Sequence, residues 1–361
     1  MPYERTNIRQ LAPYVPGEQP NTPVFAKLNT NENPYPPCAA VLEAMRDINA
    51  EALRRYPDST ALAFRHAAAA VHKVEPDNIV ATNGGDELLR LAITTFAEPG
   101  TPIAIAQPSY ALYPVLAGIQ GCSTLRIPLG DDWTLPDRFI QDLCSSTARL
   151  AILVNPHAPS GRLTDVGWLD EIARAFRGVL LVDEAYVDFV DPALNHDSLP
   201  LVSRNDNLLL LRTLSKGYSL AGLRFAYGIG AASLIAPLLT KTKDSYNTDA
   251  IAQHLATVAL TCRADAATTW AQVRRERDRL RAALAERGIP SPPSQGNFLL
   301  GHVPSHIDGG AAALHAGLKD QGILVRHFDE DRLRDALRVT VGRPDQTIRL
   351  LNALDTLIPP P

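Results

Sequence analysis

Cysteine is scarce in this chain. Cys38, Cys122, Cys144 and Cys262 are scattered over 361 residues, with no CxxC pair among them. That spacing offers no thiolate metal site and no disulfide framework, and it fits four small, mostly buried hydrophobes kept reduced in a cytoplasmic protein. Long apolar runs are also missing. None approaches the roughly 18 residues needed to cross a bilayer, so no membrane partner is expected. Met1-Pro-Tyr-Glu-Arg-Thr6 lacks the apolar core of a secretory leader. There is no excess of basic residues. With 35 Lys and Arg against 39 Asp and Glu, the net charge of −4 gives no footing for nucleic acid or an anionic membrane. No internal repeat and no low-complexity tract is present.

At 45% hydrophobic and 20% charged, the sequence can bury a large core and is long enough for two domains. Residues 1–37 carry eight prolines (Pro2, Pro13, Pro16, Pro20, Pro23, Pro34, Pro36, Pro37) and read as an irregular arm lying on a larger body. Helical patterns then alternate with short apolar runs. Helices are expected over 39–50, 59–74, 86–96, 112–118 and 165–176. Strands are expected over 78–82, 102–106, 123–127, 150–154, 179–182, 208–211 and 224–229. Fully apolar strands separated by helices predict a mostly parallel sheet covered on both faces. After Thr248 the pattern is helical, with a charged, solvent-facing helix over 274–287. Two later strands, 298–302 and 337–341, belong to a second, smaller sheet beyond the linker-like Ser291-Pro-Pro-Ser294. The expected fold class is α/β. Its expected units are an arm over 1–37 joining the small domain, a large domain over 38–260 and a small α/β C-terminal domain over 261–361.

The most informative stretch is Arg212-Thr-Leu-Ser-Lys-Gly-Tyr-Ser-Leu-Ala-Gly-Leu-Arg224. An apolar strand delivers Lys216 into a loop, with hydroxyls at Thr213 and Ser215 and a guanidinium at Arg224. A lysine amine can form an imine with an aldehyde, and hydroxyls with an arginine can hold a phosphate. An aldehyde that carries a phosphate describes pyridoxal 5'-phosphate. Asp183 emerges from the buried strand Val179–Val182 and needs a cationic partner, which a protonated pyridine nitrogen would supply. Gly84-Gly85-Asp86 lies between a strand and a helix, where backbone N–H groups and the helix N-terminus suit a phosphate. Tyr110 follows another strand and could stack on a ring; Tyr186 could donate its hydroxyl to the pyridine 3'-oxygen. Each of these falls at the carboxyl end of a strand, where open parallel sheets bind ligands.

Two competing patterns are weak. Asp183-Glu184 after a strand is reminiscent of a nucleotide site, yet no GxxxxGK[ST] loop accompanies it. Gly228-Ile-Gly-Ala-Ala-Ser233 matches only two-thirds of a dinucleotide fingerprint. A non-catalytic PLP-binding module would need a basic helix-turn-helix appendage, which is absent.

The chain resembles the fold-type I PLP-dependent aminotransferases and, within them, the histidinol-phosphate aminotransferase family. The resemblance runs from Ile8-Arg-Gln-Leu-Ala-Pro-Tyr14 to Leu337-Arg-Val-Thr-Val-Gly342. It is most specific at Leu28-Asn-Thr-Asn-Glu-Asn-Pro34, Arg55-Tyr-Pro-Asp58 and the Arg212–Arg224 block. It implies that Lys216 is the cofactor lysine, Asp183 the partner of the pyridine nitrogen and Tyr110 the stacking ring. It also implies that Tyr186 contacts the 3'-oxygen and that Thr213, Ser215, Arg224 and the Gly85-Asp86 backbone hold the phosphate. A homodimer with shared sites is implied, Tyr56 and Tyr246 crossing from the second subunit. Arg338 would meet the α-carboxylate, Arg326 and Tyr14 the substrate phosphate and polar end, Asn31 the substrate, and Asn297 the entrance. The implied substrates are a small amino donor and a 2-oxo acid, with histidinol phosphate and 2-oxoglutarate expected. An aromatic amino-acid aminotransferase and a threonine-phosphate decarboxylase would keep every cofactor contact. One departure stands out. The family's Asn-Pro-Asn-Asn-Pro-Thr-Gly is here Asn155-Pro-His-Ala-Pro-Ser-Gly161, so Ala158 replaces an asparagine that donates to the 3'-oxygen. Either Asn155 or His157 is expected to substitute, or Tyr186 to act alone.

Overall fold

A computed structural model describes residues 3–20 and 24–358. Pro2 and Pro23 of the proline-rich arm lie outside the described residues. The chain forms three sheets. Strand β1 (Ala26–Lys27) precedes seven strands of the large sheet. These are β2 (Ile79–Thr82), β3 (Ile103–Gln107), β4 (Thr124–Pro128), β5 (Leu150–Val154), β6 (Val179–Asp183), β7 (Leu208–Thr213) and β8 (Ala226–Gly230). Their order is β2-β8-β7-β6-β5-β3-β4. Beyond them come β9 (Phe298–His302), β10 (Ile323–Leu324), β11 (Arg326–His327) and β12 (Ala336–Thr340).

The pairings β7-β6-β5-β3-β4 are all parallel, as the unbroken apolar runs require. Strand β8 is the exception, antiparallel to both β2 and β7. It follows β7 through the short Lys216 loop with no crossover helix, so it must return in the opposite direction. Alternate residues along each strand feed two cores. Leu180, Val182, Leu208 and Leu210 face one side; Leu181, Leu209 and Leu211 face the other with Ile103, Ile105 and Tyr113. Both faces are dry, which leaves the carboxyl edge of the sheet as the place where polar side chains can emerge.

The small sheet β11-β12-β9 is antiparallel, and β1 pairs in parallel with β10. The arm residues Ala26 and Leu28 therefore share a core with Leu299, Leu337 and Leu350. The charged helix expected over 274–287 begins earlier, at Arg263, and runs 24 residues to Glu286. At about 1.5 Å per residue it is long enough to touch both domains. Trp270 packs on the large core, while Leu280 and Leu284 pack on the small one. It is not wholly solvent-facing, because Arg277 is buried and donates to the carbonyls of Phe189 and Gly296, each at 3.1 Å. Ser291–Ser294, which reads as a linker, is instead tied to the large domain through Gln295 N–H to the Gly161 carbonyl at 2.7 Å.

Candidate active site

Strand ends bring the polar groups together. In the parallel pair β6–β7 the register is Asp183 opposite Leu211, so Asp183 and Thr213 leave the sheet at the same edge. Asp183 is 6% exposed. Its Oδ2 accepts from the Tyr113 hydroxyl at 2.8 Å and its Oδ1 from the Ala185 N–H at 3.1 Å. Among the described residues no cation pairs with it. Burial raises its carboxyl from the usual 3.8 to about 6, despite the two hydrogen bonds that oppose the shift. The next residue, Glu184, turns to a buried ion pair with Arg212, Nε to Oε2 at 2.5 Å, and so anchors both strand ends.

Lys216 follows β7. Its Nζ donates to the Thr30 carbonyl at 2.9 Å, across to the arm-proximal segment. Burial of the amine, followed by the charge of Arg338, lowers its pKa from 10.5 to about 8. The peptide carbonyl of Gly217 accepts from Trp270 Nε1 at 2.6 Å and Asn33 Nδ2 at 3.2 Å, so the backbone beside the lysine is held from two directions. Asp188 presses on the same glycine. A Cβ there would sit 2.3 Å from Asp188 Oδ2.

Next to the lysine, Thr213 Oγ1 donates to Ser215 Oγ at 3.0 Å and accepts from the Ser215 N–H at 3.1 Å. The helix Gly84–Phe96 starts two residues earlier than its sequence pattern indicates, so Gly84 and Gly85 form its first turn. Gly84 has φ +77°, and a Cβ on it would come within 2.6 Å of Arg224 Nη2. Arg224, itself left-handed at φ +56°, reaches Asp86 Oδ2 at 3.4 Å. A helix N-terminus, two hydroxyls and an arginine at one edge of the sheet are groups that suit a phosphate.

Tyr110 lies edge-on to Tyr113 and to Tyr14, with centroids 5.4 and 5.6 Å away. The Tyr186 hydroxyl accepts from Asn31 Nδ2 at 3.0 Å. Burial raises its pKa, while Arg338 and Asn31 oppose the shift. Asn31 is held by Thr340 at its N–H (3.0 Å) and its Oδ1 (3.1 Å). Asn297, expected at the entrance, is fully buried beneath Asn31 and donates to the Asn31 carbonyl at 3.0 Å. Through that bond it supports the Asn31 turn.

The substitute donors for Ala158 are otherwise engaged. Asn155 Oδ1 accepts from the Thr164 N–H at 2.8 Å, and its Nδ2 donates to the Thr164 carbonyl at 3.2 Å. His157 bonds Ser160 Oγ at 2.7 Å and the Pro108 carbonyl at 2.9 Å, and burial lowers its pKa to about 4. Both side chains brace the loop. Asn31 is the amide that reaches Tyr186.

Arg326 and Arg338 stand opposite one another in the β11–β12 register. Arg326 donates to the carbonyls of Val15 (3.1 Å) and Pro16 (3.3 Å), Arg338 to that of Asn29 (2.9 Å). Among the described residues neither meets a carboxylate, and Arg338 Nε is buried without a partner. Tyr56 and Tyr246 are placed differently from the rest. They stack on one another at 4.5 Å, and Tyr56 is 80% exposed.

Sequence reasoning passed over Tyr113, Asn33, Trp270 and the Thr30 carbonyl. Tyr113 sits one helical turn after Tyr110 and its position was readable; the other three act through tertiary contacts that leave no local pattern. The residues present fit pyridoxal phosphate. An uncompensated buried carboxylate suits a protonated ring nitrogen, an amine of lowered pKa suits an aldehyde, and the helix N-terminus with the hydroxyls and arginine suits a phosphate. Among the described residues no cluster of potential metal ligands occurs and no helix is long and apolar enough to cross a membrane.

Comparison with known proteins gives the same picture. The model of the aminotransferase class I and II family matches residues 23–354. Histidinol-phosphate aminotransferase 1 of Trichormus variabilis is 42% identical over 358 residues, covering 99% of both chains. The histidinol-phosphate aminotransferase of Rhodopirellula baltica is 40% identical over 343 residues, covering 95% of this chain and 92% of its own. Among solved structures, histidinol-phosphate aminotransferase from Sinorhizobium meliloti in complex with pyridoxal-5'-phosphate superposes with TM-score 0.84. It is 23% identical, with 93% of this chain and 91% of that one covered, and is a likeness of fold.

Proposed function

The chain belongs to the class I and II aminotransferase family, and from that premise we propose that it moves the amino group of histidinol phosphate to 2-oxoglutarate. Its cofactor is pyridoxal 5'-phosphate, held by Lys216, Asp183, Tyr186, Tyr110, Thr213, Ser215, Arg224 and the Gly85-Asp86 backbone. When bound, the cofactor supplies an aldehyde for amines and a ring that accepts the electron pair left at the substrate Cα.

The protein's own groups do the rest. Lys216 Nζ, its pKa brought to about 8, is a base near neutral pH and carries the proton away from Cα. Asp183, once opposite a pyridinium, has a cation that offsets the burial raising its pKa, and stays ionised. Tyr186, fixed by Asn31, orients the 3'-oxygen. Tyr14 and Tyr110 pack edge to face on one side of the site.

The observation that carries the substrate assignment is the pair Arg326 and Arg338. They are cross-strand neighbours without an acidic partner among the described residues. Histidinol phosphate brings a phosphate and no α-carboxylate; glutamate brings two carboxylates. A pocket that accepts both needs two guanidiniums, each able to bind a planar or tetrahedral oxyanion. A half-reaction screen tests this. Cofactor-loaded protein mixed with histidinol phosphate should convert the cofactor to its amine form faster than with phenylalanine, tyrosine or threonine phosphate. Equal or faster conversion by phenylalanine would assign a different donor.

The same proposal includes a homodimer. The stacked and exposed Tyr56–Tyr246 pair, with the exposed Leu53 and Leu62 in the same segment, supports a subunit contact. Light scattering should return twice the chain mass. A cytoplasmic location and the three units 1–37, 38–260 and 261–361 complete the proposal. Free cysteines at all four positions support that location.

A further inference from the structure

The wall that carries the two arginines has a third member. Phe328 follows Arg326 by two residues, and its ring centroid lies 5.4 Å from the Arg326 guanidinium carbon and 5.5 Å from that of Arg338. Arg338 also lies 5.6 Å from the Phe298 ring. Like charges directly opposed across an antiparallel pair repel. An aromatic face within reach of both cations offsets that repulsion and restricts where each guanidinium can settle.

Phe328 is itself held from the far side. It packs on Leu300, Leu333 and Ala336 together with Trp133, a residue of the large domain. Arg332, four residues along, stacks its guanidinium 4.1 Å from the Trp133 ring. It donates to the Leu129 carbonyl at 2.8 Å and to the Gly130 carbonyl. The turn that receives it is closed by the Gly130 N–H to Thr134 carbonyl bond at 2.9 Å.

We propose that Phe328 is a positioning residue for substrate recognition: its ring sets the spacing and aim of Arg326 and Arg338, and Arg332 holds the ring by clamping its segment to the 129–134 turn. This rests on the assignment of the two arginines to the substrate's anions. The described contacts of Phe328 are with the two guanidiniums and with its apolar cluster, so its loss acts first on binding.

The test uses the cofactor-loaded enzyme and four variants: Phe328→Leu, Phe328→Tyr, Arg332→Ala and Arg338→Ala. Phe328→Leu should raise KM for both histidinol phosphate and 2-oxoglutarate roughly ten-fold, with kcat little changed. Phe328→Tyr keeps the ring and should restore wild-type KM. Arg332→Ala should move both KM values in the same direction by a smaller factor. If Arg338→Ala raises KM while Phe328→Leu does not, or if Phe328→Leu lowers kcat with KM intact, the positioning role is wrong. If Arg338→Ala also leaves both KM values unchanged, the arginine assignment itself fails and takes this proposal with it.

Discussion

On the floor of the site, Asp183, Thr213 and Ser215 leave parallel strand ends and each already has hydrogen-bond partners. On the wall, Arg326 and Arg338 sit on a short antiparallel ribbon and donate only to backbone carbonyls. The floor is preorganised for one permanent occupant and, among the described residues, buries the Asp183 carboxyl without a cationic partner. The wall keeps two cations unneutralised, so that different anions can enter in turn. A fixed cofactor demands geometry, whereas alternating substrates demand charge held in reserve. The arm joins the two regions: Tyr14 touches Tyr110 on the floor, while Val15 and Pro16 cap Arg326 on the wall.

The largest expected break comes from the floor. Lys216→Ala should lower the transamination rate by on the order of 10⁴-fold, because both the cofactor attachment and the proton carrier are lost. Steady-state rates on protein of matched melting temperature check it.

Asp183→Asn separates function from stability. In the ligand-free protein the Asp183 carboxyl is raised from 3.8 to about 6, so the folded state holds that proton more tightly than the unfolded chain. Its stabilising contribution is present below pH 4 and is lost as the pH rises through about 6. Ligand-free Asp183→Asn should therefore be more stable than the parent at pH 8, by on the order of 2 kcal/mol, and show no such gain at pH 4. The same variant loaded with cofactor should lose on the order of 10²-fold in rate. Thermal melts at both pH values, paired with rates, measure the two effects.

The wall should respond in KM. Arg338→Ala removes a bidentate partner worth about 1.5–3 kcal/mol per charged hydrogen bond, so KM for 2-oxoglutarate should rise by on the order of 10²-fold. It should also reach across to the floor. Burial and then Arg338 hold the Lys216 amine at about 8, so the cofactor-capture rate of ligand-free protein should climb with pH through about 8. In Arg338→Ala that midpoint should move upward.

The smallest effect sharpens the reading of Ala158. Asn31→Ala should shift the absorbance titration of the bound cofactor, since Asn31 is the amide on Tyr186. Asn155→Ala and His157→Ala should leave that titration in place and lower the melting temperature, because their side chains brace the 155–164 loop. A spectral shift in Asn155→Ala would return it to the cofactor.

The floor was the more legible region in sequence. Val179–Asp183 is an apolar strand that ends in a polar group, and Leu208–Thr213 delivers Lys216 just beyond its end, a pattern tied to the sheet edge by local chemistry alone. The wall was harder to read. Arg326 and Arg338 look like surface arginines, and only their cross-strand register makes them a pair. Three further features were hidden for the same reason. The antiparallel β8 depends on the absence of a crossover, the inward face of Arg263–Glu286 on the small domain above it, and the support role of Asn297 on the Asn31 turn. Phe328 and Arg332 lie 195 and 199 residues from Trp133, in the other domain, and the three carry no motif at all.

Attachment of the cofactor to one amine is the most direct measurement of the account. Cofactor-loaded protein reduced with borohydride and digested should yield a single pyridoxyl-modified peptide, with the added mass on Lys216. Modification at another lysine, or none, would contradict it.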